Sequence, residues 1–163
     1  MNNKLSKKRI IEFILIVIII GTFTIVFLER ENLRFEYPKT DKISIRGIYI
    51  NDMPMWVDVA DSVKEIKTGL SGRTTLENGQ GMLFIFDKLD FYGMWMKDMN
   101  FPIDIIWINE NLQIIDIKTQ VLQKSYSEIF YPVQKALYVI EVNAGFSELN
   151  NIKIGDKVIL QIF

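Results

Sequence analysis

Four charged residues stand inside the most apolar, most patterned stretches of this chain: Arg73, Lys97, Asp104 and Glu141. Asp104 lies between Ile103 and Ile105, and Glu141 between Ile140 and Val142. A carboxylate in such a strand either faces solvent by simple alternation or is buried with a partner. Buried alone, it carries a desolvation cost or takes up a proton. Arg73 and Lys97 are the obvious partners. Structurally, the four are solvent-facing charges or ion pairs. Functionally, Arg73 and Lys97 hold an anionic or hydroxyl-rich ligand, with the guanidinium fork fixing its orientation. Trp95 and Met96 precede Lys97 and complete a candidate ligand-facing set of Arg73, Trp95, Met96, Lys97, Asp104 and Glu141. A hydrolase is the catalytic version: Asp104 and Glu141 act as acid and base across a cleft of about 5–10 Å.

Two further groups invite chemistry. Met94, Met96 and Met99 lie close together, with Met82 upstream. Thioethers are soft ligands that suit Cu(I), but methionine also fills irregular gaps in small cores. Alternation places Met94 and Met96 on one strand face and Trp95 on the other, which suits either reading. Phe91, Tyr92, Trp95 and Phe101 form an aromatic group. Such rings stack flat ligands or mark interfaces, and they also close the ends of small barrels. Tyr126, Phe130 and Tyr131 extend that surface from a long loop.

Composition removes many classes of function. The chain has no Cys, so disulfides, thiolate metal sites and a cysteine nucleophile are excluded. It has no His, which removes the commonest general base, the Ser-His triads and most zinc sites. Net charge is -1 over 163 residues, with no basic stripe, so nucleic acid is not an expected partner. No phosphate-binding glycine motif or calcium loop is present, and no cofactor is expected.

The elements that must position these residues are mostly short strands. Residues 43–48 and 55–59 alternate, with Asn51-Asp52 as a turn between them. Ser62-Val63-Lys64-Glu65 is a capping box, and it predicts a short helix that stops at Gly69. Residues 82–86 form a continuous apolar run, as a strand buried on both faces does. Strands are expected at 94–96, 103–108, 112–117, 136–142 and 158–162, with a helical turn near 146–149. Residues 120–132 read as a loop. The fold class is therefore mainly β: a small antiparallel barrel-like or rolled sheet with one short helix. Antiparallel order is expected because the connections look too short for helical crossovers.

The N-terminus reads differently. Residues 1–9 carry Lys4, Lys7, Lys8 and Arg9 and no acid. Residues 10–28 are apolar except for Glu12, Thr22 and Thr24, close to the roughly 20 residues that span a bilayer core. No polar face breaks residues 13–28, as it would in a soluble helix. No small-x-small site follows the stretch, so it reads as an uncleaved signal anchor rather than a signal peptide. The basic cluster predicts a single-pass protein of the cytoplasmic membrane, N-terminus inside and the rest outside. Residues 29–42 are a charged linker, and residues 43–163 an extracytoplasmic domain at the cell envelope.

Three blocks of that domain resemble a known family. They are Gly69-Leu70-Ser71-Gly72-Arg73 with Gly81-Met82-Leu83-Phe84-Ile85-Phe86; Trp95-Met96-Lys97 with Phe101-Pro102-Ile103-Asp104-Ile105-Ile106-Trp107-Ile108; and Ala136-Leu137-Tyr138-Val139-Ile140-Glu141-Val142-Asn143-Ala144-Gly145 with Ile154-Gly155-Asp156. Together they resemble the domain of unknown function 192 family over roughly residues 59–158. Ser71-Gly72 and Asp98-Met99 depart from its pattern. The resemblance implies a small, mainly β domain, often on exported or membrane-attached proteins, with no assigned activity. The reading is thus a membrane-anchored binding or accessory module. Its expected partners are the lipid bilayer, a small polar or anionic ligand, and an envelope protein if the domain serves for docking.

Overall fold

The computed structural model describes residues 46–161. The basic segment 1–9, the anchor 10–28, the linker 29–42 and the start of the first expected strand lie outside those residues. Among the described residues no helix is long and apolar enough to cross a membrane.

Alternating sequence produces the expected hairpin. Strands β1 (Arg46–Ile50) and β2 (Met53–Ala60) pair antiparallel, with Ile50 opposite Met53. Asn51 and Asp52 both take positive φ, 50° and 64°, as a two-residue hairpin turn demands and as short polar side chains tolerate. Helix α1 (Val63–Thr68) follows with its capping box formed. The Glu65 amide donates to Ser62 Oγ at 3.3 Å, and the Ser62 amide donates to Glu65 Oε2 at 3.1 Å. Gly69 ends the helix at φ 51° and donates its amide to the Glu65 carbonyl at 2.7 Å.

The remaining strands are β3 (Gln80–Asp90), β4 (Met94–Trp95), β5 (Ile103–Ile108), β6 (Ile114–Val121), β7 (Ile129–Phe130), β8 (Ala136–Asn143) and β9 (Val158–Leu160). A 3-10 turn occupies Gln123–Ser125, and helix α2 is the single turn Phe146–Leu149. Seven strands make one sheet in the order β6-β5-β8-β3-β2-β1-β9, while β4 and β7 form a separate ribbon. The sheet curls until its ends touch. Gln113 bridges Lys157, and the Val158 amide donates to the Leu112 carbonyl at 2.8 Å. A rolled, mainly β domain is what the strand pattern predicted.

One expectation is corrected. The sheet is not wholly antiparallel, because β2 and β3 run parallel with Val57 beside Gly81. Residues 61–79 connect them, and with α1 inside they exceed the dozen or so residues a crossover needs.

Alternation sorts the side chains into two layers. Ile48, Val57, Leu83, Ile106, Ile140 and Val158 belong to the layer that every part of the curled sheet shares, its concave interior. Met82, Phe84, Ile105, Trp107 and Val139 face the other way. There they are covered by Leu70 and Leu76 from the crossover and by Met94, Met96 and Phe130 around the ribbon. The strand β5 and residues 81–84 of β3 are buried on both faces, which is why those stretches are almost unbroken apolar runs. The candidate site lies in the outer layer.

Candidate functional site

Register decides which face each charged residue takes. Asp58, Met82, Glu141 and Ile105 form one row across β2, β3, β8 and β5, since directly opposed residues share a face. Asp104 is opposite Val142, one position away, and so points to the concave side. Asp104 and Glu141 therefore face opposite sides of the sheet. The acid–base pair expected across a cleft is not available to them, because a one-residue offset reverses the side-chain direction.

Asp104 is wholly buried and fully engaged. Its Oδ1 accepts from the amides of Gln120 at 2.8 Å and Gly145 at 3.0 Å, and its Oδ2 from the amide of Ser147 at 2.9 Å. The carboxylate ties β6 and the start of α2 to β5. Its place is structural, and it does not join the candidate ligand-facing set.

Glu141 is the opposite case. The residue is 4% exposed, yet no hydrogen-bond partner for its carboxyl occurs among the described residues. It lines a cavity of about 430 Å3. Burial raises its pKa to about 8, and the Arg73 charge only partly offsets this. Arg73 is itself committed elsewhere: its Nη1 lies 2.7 Å from Asp58 Oδ2 in a half-buried ion pair. The acid at the cavity floor is thus mostly protonated at neutral pH, and it can both donate and accept a hydrogen bond.

The walls over Glu141 are mainly apolar. Ile66 and Leu70 come from the crossover, Phe84 and Phe86 from β3, and Met94 and Met99 from the ribbon side. Tyr92 stacks on Phe86 with ring centroids 3.5 Å apart and donates its hydroxyl to the Lys88 carbonyl at 2.6 Å. Trp107 steadies that turn from below, its Nε1–H reaching the Tyr92 carbonyl at 2.9 Å. Gly69 lies directly over the floor. A Cβ there would stand 3.2 Å from Phe84 Cζ and 3.9 Å from Glu141 Oε2.

The roof is stitched between two loops. Gly72 donates its amide to the Asp98 carbonyl at 2.8 Å, and Ser71 Oγ donates to the Lys97 carbonyl at 2.8 Å. Asn100 Nδ2 donates to the Arg73 carbonyl at 2.8 Å. Asn143, two residues along β8 from Glu141, donates to the Leu76 carbonyl at 2.7 Å and pins the rest of the crossover. A second cavity of about 260 Å3 is lined by Lys67, Trp95, Lys97 and Tyr126.

The structure therefore divides the candidate set. Glu141 and Trp95 line the main cavity, and Trp95 and Lys97 line the second. Arg73 reaches Glu141 only through its charge, and Met96 is a core residue, 1% exposed. Met94 and Met99 serve as apolar cavity wall, while Met82 packs in the same layer, the gap-filling use of methionine. Sequence reading missed Lys67 and Asp58. Lys67 is an exposed residue of α1 that borders both cavities, and Asp58 enters through its ion pair with Arg73. Tyr126 was legible from its place in a long aromatic loop.

Comparison with known proteins adds family and fold. The model of the DUF192 family, described as an uncharacterized ACR, matches residues 48–160. No curated protein matches the chain. Among solved structures, a protein from Sinorhizobium meliloti 1021, provisionally described as a transcription regulator, superposes with a TM-score of 0.70 at 23% identity. The match covers 75% of this chain and 98% of that one. A protein of unknown function from Novosphingobium aromaticivorans DSM 12444 superposes with a TM-score of 0.67 at 25% identity, over 76% of this chain and 91% of that one.

Proposed function

Starting from the premise that the chain belongs to the DUF192 family, we propose that it is a small-molecule-binding module, held outside the cytoplasmic membrane by residues 10–28. The observation that carries the binding reading is Glu141: a buried carboxyl without a protein partner, at the floor of an apolar cavity. A carboxyl that makes no hydrogen bond and opens into an apolar cavity is positioned to engage a guest there. A cavity of about 430 Å3 is of the size that holds small ligands, with apolar walls and a few placed polar groups. The ligand is one with an apolar body, and a hydroxyl or amide carried on that body would exchange a hydrogen bond with Glu141.

Tethering rests on the basic cluster at residues 4–9 followed by the apolar run. An anchored module of this kind would present its ligand to, or take it from, an envelope partner. The exposed Phe91, Ile129, Tyr131 and Val133 beside the ribbon offer a surface for that contact.

Two measurements test the proposal. The first is a fragment screen by NMR on the full chain in lipid nanodiscs, with methionine methyl groups labelled. Ligands should move the Met94 and Met99 signals, and Trp95→Ala should weaken them. Hits that move only exposed sites would defeat the binding reading. The second is protease treatment of spheroplasts with mass spectrometry of the product. Cleavage of the domain from outside, with an intact N-terminus retained in the membrane, is expected. A mature N-terminus beyond Leu28 would refute the anchor.

A further inference from the structure

The two cavities share Lys67 and Trp95, so they open on either side of the same two side chains. Their chemistry differs. The larger has apolar walls and one buried acid, and the smaller, a hollow at the surface, is lined by two exposed lysines, Trp95 and Tyr126. Resting on the binding reading above, we infer that they are one bipartite site for an amphipathic organic anion, with its apolar body over Glu141 and its anionic group at Lys67 and Lys97.

Charge placement supports this choice. Lys67 comes from α1 and Lys97 from the turn after β4, and neither is in an ion pair among the described residues. No acid lines the smaller cavity. Around the larger one, Arg73 is neutralised by Asp58, Tyr92 donates to a backbone carbonyl, and Glu141 is the remaining acid. Burial keeps that acid protonated at neutral pH, so an entering anion meets two cations and an uncharged floor. A cationic ligand would meet Lys67 at the larger cavity and both lysines at the smaller one. Trp95 is 41% exposed and lies between the two compartments, where a flat or chain-like body can pass along its ring.

The test uses three probes that share a naphthalene ring: the sulfonate, the neutral naphthalenemethanol and the cationic naphthylmethylammonium. They are titrated into the full chain in nanodiscs, read at the Met94 and Met99 methyls, with Met53 as a reference outside both cavities. The sulfonate is expected to bind about tenfold more tightly than the alcohol, and the cation more weakly still. The Lys67→Ala/Lys97→Ala pair should remove most of that preference, bringing the sulfonate and the alcohol to within about twofold of each other. Wild-type affinity for the sulfonate should fall as the pH passes about 8, and Glu141→Gln should abolish the fall. If the alcohol or the cation binds as tightly as the sulfonate, the cavity stands and the anion inference is overturned. If no probe moves Met94 or Met99, the binding reading fails and takes this inference with it. Competition separates sources of the anion. Displacement by laurate alone assigns a membrane-derived chain, displacement by indole acetate alone a soluble ring acid, and displacement by neither overturns the inference.

Discussion

Glu141→Gln is the sharpest perturbation, because it replaces a buried acid by a neutral group of the same shape. The folded-state pKa is about 8, above the ordinary value of 4.5, with desolvation as the main cause and the Arg73 charge opposing it. Its sign follows from linkage. Below pH 4.5 the group is protonated whether the chain is folded or not, and it costs nothing. Between 4.5 and about 8 the unfolded chain releases the proton while the folded domain keeps it, so stability falls as pH rises. At 1.36 kcal/mol per pKa unit the loss reaches about 3 kcal/mol at neutral pH and levels off near ~5 kcal/mol above the folded pKa. Gln carries no such dependence. The variant should match wild type near pH 4.5 and exceed it by about 3 kcal/mol at pH 7, roughly 12 °C in Tm for a domain of this size. Thermal unfolding of both proteins across that range, followed by near-UV circular dichroism, measures the difference. Parallel pH profiles would refute the claim that Glu141 is buried without a partner.

Three other substitutions probe the surroundings. Arg73→Ala removes the one charge that lowers the Glu141 pKa, so the carboxyl should titrate above 8 by carbon-detected NMR. Its half-exposed ion pair with Asp58 should cost only about 0.5–1 kcal/mol, read from denaturant midpoints. Asp104→Ala strips the acceptor from three buried amides and should destabilise by about 3–5 kcal/mol while leaving cavity binding intact in whatever protein remains folded. Loss of ligand affinity without loss of stability would overturn its structural assignment. Gly69→Ala forces an L side chain to positive φ against Phe84, and a Tm drop equivalent to about 1–3 kcal/mol is expected.

What the sequence disclosed depended on how local each determinant is. The Ile103–Ile108 strand, the capping box and the Gly69 stop were all legible because each is set within a few residues. Faces were harder. Alternation assigns Ile103 and Ile105 a common side, but only the register with β8 shows that Asp104 opposes Val142 while Glu141 opposes Ile105. The parallel β2–β3 pair was hidden because residues 61–79 read as a helix plus loops, with no mark of a return across the sheet. Lys67 reads as any solvated helix lysine, and only the fold places it with Lys97 on the lining of one hollow. Ser71-Gly72 and Asp98-Met99, far apart in sequence, meet across one seam, where the Gly72 amide donates to the Asp98 carbonyl.

The pairing of β1 with β9 bears on how the domain comes into being. Tyr49 sits opposite Ile159, and Ile50 opposite Val158, so the first described strand finds its second neighbour in the last described strand, far along the sequence. During synthesis β1 can form its hairpin with β2 at once, but its other edge stays open until β9 has been made. Contacts so far apart in sequence close slowly, since a long loop must be ordered before they add stability. The β1 edge is therefore closed only once β9 is in place, and that strand acts as the latch of the sheet.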